Sequence, residues 1–149
     1  MALAEALTNL QAQVGTETHV SDWLEVSQEM VDAFGAATGD TQWIHTDPAR
    51  AKAESPYGGT IAHGYFTLAL YPQLRGLVDA STPVFPGAKN VINYGLNKLR
   101  FPAPVPVGSR IRARCELLAA EEVKGSVELI EKYAVEVEGQ ERPACIAEC

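Results

Sequence analysis

Apolar positions along the chain change period once, from helical to alternating, and the change divides the sequence. Leu3, Leu7, Leu10 and Val14 recur at three-four spacing, which predicts an amphipathic helix over residues 1–14. Gly15 and Thr16 end it, and Thr18 to Val26 carries the β-branched and aromatic residues of a first strand. Ser27 followed by Gln28 and Glu29 is an N-cap signature, opening a helix through Ala37 that buries Met30, Phe34 and Ala37 and stops at Gly39. Asp47-Pro48 predicts another helix start, reaching about Glu54, with Asp as cap and Pro at the first helical position. Ser55 to Gly59 is a loop. Ile61 to Leu70 reads IAHGYFTLAL, apolar almost all round, which predicts a buried helix. Pro72 kinks or ends it, and Leu74, Leu77 and Val78 continue its spacing.

From Asn90 onward a period of two takes over. Val91 to Phe101 is a candidate strand, followed by a Pro-rich bend over 102–108. Within 109–123, Ile111, Ala113, Cys115, Leu117 and Ala119 face one way, with Arg110, Arg112, Arg114 and Glu116 facing the other. Within 126–138, Val127, Leu129, Tyr133, Val135 and Val137 form the apolar face. Lys124-Gly125-Ser126 predicts a three-residue hairpin, setting Val123 opposite Val127 and pairing Arg112 and Arg114 with Glu138 and Glu136. A last strand covers about Pro143 to Glu148. Helices first and an antiparallel meander after them predict an α+β domain, its buried helix covered by a curved sheet.

Composition narrows the function classes. At 149 residues the chain is expected to form a single domain, 1–149, with a core that needs neither disulfide nor structural metal. Twelve Lys and Arg against nineteen Asp and Glu give −7, which argues against nucleic acid and against a membrane held by charge. Cys115, Cys145 and Cys149 form no CxxC pair, and with three histidines no zinc site is expected. The N-terminus shows no basic and apolar signal pattern and no apolar run nears the ~20 residues of a membrane span, so a cytoplasmic protein is expected. The charge is unevenly spread: residues 89–114 hold Lys89, Lys98, Arg100, Arg110, Arg112 and Arg114 and no acid, +6, leaving −13 elsewhere.

Two short segments hold the candidate chemistry. Asp40 and His45 lie five apart on a turn between helices, where a carboxylate and an imidazole can converge as a proton-transfer pair. Trp43 and Ile44 between them would wall the site with apolar surface and raise the Asp40 pKa. Spacing alone equally allows Asp40 to stabilise a turn and His45 to pack as a core histidine. Ala62-His63-Gly64 heads the buried helix, where unsatisfied N–H groups attract oxyanions and a glycine lets a carbonyl oxygen come close. On the residues alone, His63 as a cap and Gly64 as a packing glycine explain that segment as well.

Taken together, Thr38-Gly39-Asp40-Thr-Gln42-Trp43-Ile44-His45 and, about fifteen residues on, Thr60-Ile61-Ala62-His63-Gly64 resemble the MaoC-like dehydratase family of hot-dog-fold proteins. The nodulation protein N-like subgroup, which includes (R)-specific 2-enoyl-CoA hydratases, is the part of the family the chain is most similar to. Asn93 to Pro102 and Pro106-Val107-Gly108-Ser109 share that likeness, which spans about residues 20–138. The resemblance implies a long central helix wrapped by an antiparallel sheet, usually as a homodimer. It implies reversible syn hydration of a trans-2-enoyl-CoA to an (R)-3-hydroxyacyl-CoA, with no cofactor beyond the coenzyme A of the substrate. It implies Asp40 and His45 as the catalytic pair, Asp40 as base, and the Gly64 N–H as the group polarising the thioester carbonyl. Gln42, Trp43, Ile44 and His63 are then expected against the substrate, with Lys89, Lys98, Arg100 and Arg110 the candidates for coenzyme A phosphates. Two departures point to a reshaped pocket: Gln42-Trp43 stands where many relatives have Asn-Pro, and Pro72 where some hydratases place a serine. Other readings of the same cleft are a non-catalytic acyl-thioester-binding module and a thioesterase. The latter normally needs a carboxylate on the central helix, and residues 61–71 have none.

Overall fold

The computed structural model describes residues 2–149, so Met1 of the expected first helix lies outside the described residues. The elements run α1 (Leu3–Gln11), β1 (Glu17–Val20), β2 (Leu24–Glu25), α2 (Gln28–Thr38), α3 (Trp43–Thr46), α4 (Pro48–Glu54), α5 (Gly64–Ala69), α6 (Tyr71–Arg75), β3 (Lys98–Arg100), β4 (Arg110–Val123), β5 (Ser126–Val137) and β6 (Cys145–Glu148). The strands form one antiparallel sheet in the order β1-β4-β5-β6-β3, with β2 also on β4. Its inner face, with Ile111, Cys115, Tyr133 and Val135 fully buried, packs on Phe66, Leu70 and Leu74 of the central helical segment. The Tyr133 hydroxyl donates to the Thr67 carbonyl at 2.8 Å, fastening sheet to helix. Among the described residues no helix is long and apolar enough to cross a membrane.

Several boundaries differ from the sequence expectation, each for a physical reason. The helix expected over 61–70 starts only at Gly64, because 60–62 is extended and bonds to the Pro-rich bend: Ala62 N–H to Val105 O, Val107 N–H to Thr60 O. It is also two short helices, α5 and α6, with Pro72 inside the first turn of α6. The strand expected over Val91–Phe101 contracts to three residues. β3 pairs with β6, Lys98 lies opposite Glu148, and the ladder ends with the Asn97 N–H on the Glu148 carbonyl at 3.1 Å. The strand expected over Thr18–Val26 splits into β1 and β2. In α2 the fully buried positions are Val31 and Gly35, with Met30 and Phe34 only partly buried and Ala37 exposed. Val14 lies beyond α1 and is exposed.

The hairpin also corrects the register. Lys124 (φ 51°) and Gly125 (φ 78°) both have positive φ, a two-residue type I′ turn with Ser126 opposite Val123. A bulge between Leu117 and Ala119 then shifts the pairing once more, turning Ala120 rather than Ala119 to the core. Arg112 therefore faces Glu136, not Glu138, and Arg110 pairs with Glu138 at 2.5 Å. Arg114 joins Glu136 from a neighbouring position and also reaches Glu17.

Candidate active site

Asp40 is placed by α2 and its cap. Gly39 takes the left-handed conformation (φ 83°) and its N–H closes on the Gly35 carbonyl at 2.9 Å, turning the chain out of the helix. Gly35 makes room for the next residue, since a Cβ there would lie 2.9 Å from the Asp40 carbonyl oxygen. The spacing places Asp40 to His45 on a turn between helices, yet Trp43–Thr46 forms one helical turn of its own, α3, carrying His45. The Asp47 side chain caps α4 by accepting from Arg50 N–H at 3.0 Å, as Asp-Pro predicts.

The two motif segments cross at this point. His45 Nδ1 lies 2.7 Å from the Ile61 carbonyl, which can only accept, so the neutral ring carries its proton on Nδ1 and leaves Nε2 as a lone pair. His63 is buried and uses Nε2 in the same way, donating to the Asp40 carbonyl at 2.8 Å. Its Nδ1 has no protein partner. The two imidazoles stack with centroids 3.9 Å apart and planes 28° from parallel. One donor atom from each of Asp40, His45 and His63 lies within 4.8 Å of the other two. A zinc ion would need both imidazole lone pairs to meet about 2 Å from each nitrogen. Near-parallel rings keep those lone pairs in separate planes.

Asp40 departs from expectation in its electrostatics. The Gln42 side-chain amide donates to Asp40 Oδ1 at 2.8 Å and holds its carboxyl below the usual range. Partial burial opposes this, while the Gln42 N–H and, more weakly, the neighbouring His63 and His45 add to the lowering. The Gln42 hydrogen bond thus outweighs the burial that was expected to raise the pKa, and Trp43 packs under the Arg50 guanidinium, 4.4 Å from the ring centroid. Ile44 contributes through its main chain, its carbonyl accepting Ile61 N–H at 3.1 Å.

Gly64 is the first residue of α5, where N–H groups have no intrahelical acceptor. A Cβ on it would sit 2.9 Å from two carbons of the Phe101 ring, so any side chain here would push against Phe101. Phe101 follows β3 directly, which brings that strand to the helix head. Lys98 is exposed, with Glu148 3.8 Å away, and Arg100 is exposed with Nη1 on the Leu99 carbonyl. Lys89 is exposed as well, and Arg110 is exposed and ion-paired with Glu138. Along α5 and α6, Tyr65, Leu68, Tyr71, Pro72, Tyr94 and Leu96 line a largely apolar groove of about 340 Å³.

Two features escaped sequence reasoning. Glu131 sits on the apolar face of β5, fully enclosed, where Arg75 Nε reaches both its oxygens at 3.0 and 2.9 Å and Tyr71 also donates to it. Its place between Leu129 and Tyr133 in the alternation was the available signal. Gln28 bridges the two motifs, and nothing local marks it.

A six-stranded antiparallel sheet over a central helical segment, with an Asp-His pair at the head of that segment, defines a hot-dog-fold protein of the dehydratase and hydratase class. The chain belongs to the MaoC-like dehydratase family: the MaoC like domain matches residues 9–139. It is 50% identical over 149 residues to 3-hydroxyacyl-thioester dehydratase Z of Mycobacterium tuberculosis (strain ATCC 25618 / H37Rv), covering 99% of this chain and 95% of that protein. It is 40% identical over 144 residues to Nodulation protein N of Rhizobium leguminosarum bv. viciae, covering 95% and 87%. Among solved structures, the R-hydratase PhaJ1 from Pseudomonas aeruginosa superposes with TM-score 0.68 at 24% identity over 91% of this chain and 77% of that one. The (R)-hydratase from A. caviae involved in PHA biosynthesis does so with TM-score 0.66 at 25% identity, over 87% and 92%. The chain is an enzyme of the hydro-lyase class.

Proposed function

We infer that the enzyme adds water reversibly to trans-2-enoyl-CoA to give (R)-3-hydroxyacyl-CoA. The observation that carries this reading is the convergence of the Asp40 carboxylate, kept in its charged form by Gln42, with His45, whose tautomer is set by the Ile61 carbonyl. One water held between them has an acceptor on each side. As its oxygen bonds to C3 of the enoyl group, Asp40 takes a proton; the electron pair of the C2–C3 double bond moves onto C2 and the thioester oxygen. The same proton is then delivered to C2, which restores Asp40 and leaves H and OH on one face. Charge developing on the thioester oxygen is met by the Gly64 N–H, where stabilisation counts most. No cofactor enters these steps.

Gln42, Trp43, Ile44 and His63 then bound the reacting end, and the apolar groove beside Tyr65 and Pro72 receives the acyl chain. Lys98 and Arg100 are the cations proposed to meet the coenzyme A phosphates. The enzyme is proposed to act as a homodimer, a reading supported by Tyr65, Ile92 and Tyr94, which a lone chain leaves 68%, 73% and 87% exposed. The test is loss of enoyl absorbance from crotonyl-CoA and longer enoyl-CoAs, with chiral analysis of the product. Asp40→Asn is expected to cut kcat about 10²–10⁴-fold with the fold retained. Full activity in Asp40→Asn, or release of free CoA thiol in place of water addition, would refute the assignment; acyl-CoA binding without turnover would reduce it to a binding module.

A further inference from the structure

Gln28 stands outside both motifs that build the site, seventeen residues before His45 and thirty-two before Thr60. As the first residue of α2 it has a side-chain amide fully engaged. Nε2 donates to the His45 carbonyl at 2.7 Å and to Asp32 Oδ1 at 2.8 Å, while Oε1 accepts the Thr60 hydroxyl at 2.6 Å. His45 in turn donates from Nδ1 to the carbonyl of Ile61, the residue after Thr60. The bonds therefore close a ring: Gln28 to the His45 main chain, the His45 imidazole to Ile61, one peptide back to Thr60, and Thr60 to Gln28.

The ring matters because α3 is four residues long, a single turn that cannot sustain itself. The carbonyls at its end have no intrahelical partner, and the one on His45 is held by Gln28. A rotation of this turn would swing His45 Nε2 away from Asp40, and a displacement of 1 Å in such a pair costs as much as ~10²-fold in rate. The geometry points to Gln28 as a positioning residue: acting through the His45 carbonyl and Thr60, it aims His45 Nε2 at the water site while taking no part in proton transfer itself. This rests on the hydration reading above.

The test compares Gln28→Met, Thr60→Val and Thr60→Ser in the full chain, with crotonyl-CoA as probe and with proton NMR of the His45 Nδ1–H, assigned by its loss in His45→Gln. Gln28→Met and Thr60→Val are expected to lower kcat about 10–100-fold with KM within about threefold. Thr60→Ser, which keeps the hydroxyl, should stay within about twofold of wild type on the same scale. The Nδ1–H resonance, sheltered in wild type by the Ile61 carbonyl, should be lost in Gln28→Met. Should that variant not fold, Gln28→Glu keeps the acceptor for Thr60, lacks the donor to His45, and is expected to behave likewise. Wild-type kcat in Gln28→Met, or an equal loss in Thr60→Ser and Thr60→Val, overturns the proposal. Were wild type to hydrate no enoyl thioester, the functional reading would fail by itself. The resonance would then decide the positioning role: loss in Gln28→Met supports it, retention overturns it.

Discussion

Gly64→Ala separates what the glycine does by its size from what it does by its N–H. Gly64 is not among the residues with positive φ, so alanine can adopt the backbone unstrained. The new methyl would lie 2.9 Å from Phe101 Cδ2 and Cε2 and 3.1 Å from Cγ, against ordinary contact from 3.4 Å upward. About half an ångström must therefore be found. Because Cγ is one of the crowded atoms, flipping the ring about its own axis gives no relief, and Phe101 or the head of α5 has to move. Overpacking of this kind costs about 1–3 kcal/mol. The greater helix propensity of alanine returns up to about 1 kcal/mol. A net loss of about 0–3 kcal/mol corresponds to about 0–12 °C in Tm for a chain of this length. The N–H survives, but shifted, so kcat for enoyl hydration is expected to fall about 10–100-fold. Phe101→Ala removes every clashing atom, and with the ring 40% exposed its own cost is small. The double variant should recover kcat to within about fivefold of wild type, since the N–H can return to its place. Urea denaturation and enoyl-CoA hydration on the four proteins decide it. A fully active and stable Gly64→Ala, or a double variant no better than the single, would show that Phe101 does not set this position.

Gln42→Ala removes the chief group lowering the Asp40 carboxyl, so its pKa rises; the ionised base is lost at a higher pH, and the acid limb of kcat/KM should move upward. An unmoved limb would take Gln42 out of the site. Arg75→Met leaves Glu131 buried without its cation and should cost about 3–5 kcal/mol in urea denaturation, much of it regained in Arg75→Met with Glu131→Leu. Charge reversal of Lys98 and Arg100 should raise KM for CoA thioesters more than for pantetheine thioesters, which lack the nucleotide phosphates, with kcat little changed; equal effects on both would remove these cations from the substrate path.

The sequence by itself determined those features whose cause is local. The Asp47 cap with Pro48 behind it, the Gly39 stop and the alternation of Ile111, Ala113 and Cys115 are each settled within a few residues, and the structure contains all of them. The motif pair around Asp40 and His63 was legible as a pair, because both segments are short and continuous. Only the tertiary structure decided the rest. Leu117, Leu118, Ala119 and Ala120 are all apolar, so alternation carries no phase there and the bulge was invisible; with it went the register of the three arginines. Val91 to Leu96 has strand composition but lies outside the β3–β6 ladder, which a local pattern cannot show. Burial beside Trp43 and Ile44 argues for a raised Asp40 pKa until the Gln42 amide is seen to turn back onto the carboxylate, which reverses the sign. Glu131 and Gln28 answer to residues 56 and 32 positions away, and no local pattern encodes a partner at that distance. Caps and faces are set by neighbours along the chain, whereas charge state, register and the aim of a catalytic side chain are set by whatever the fold brings against them.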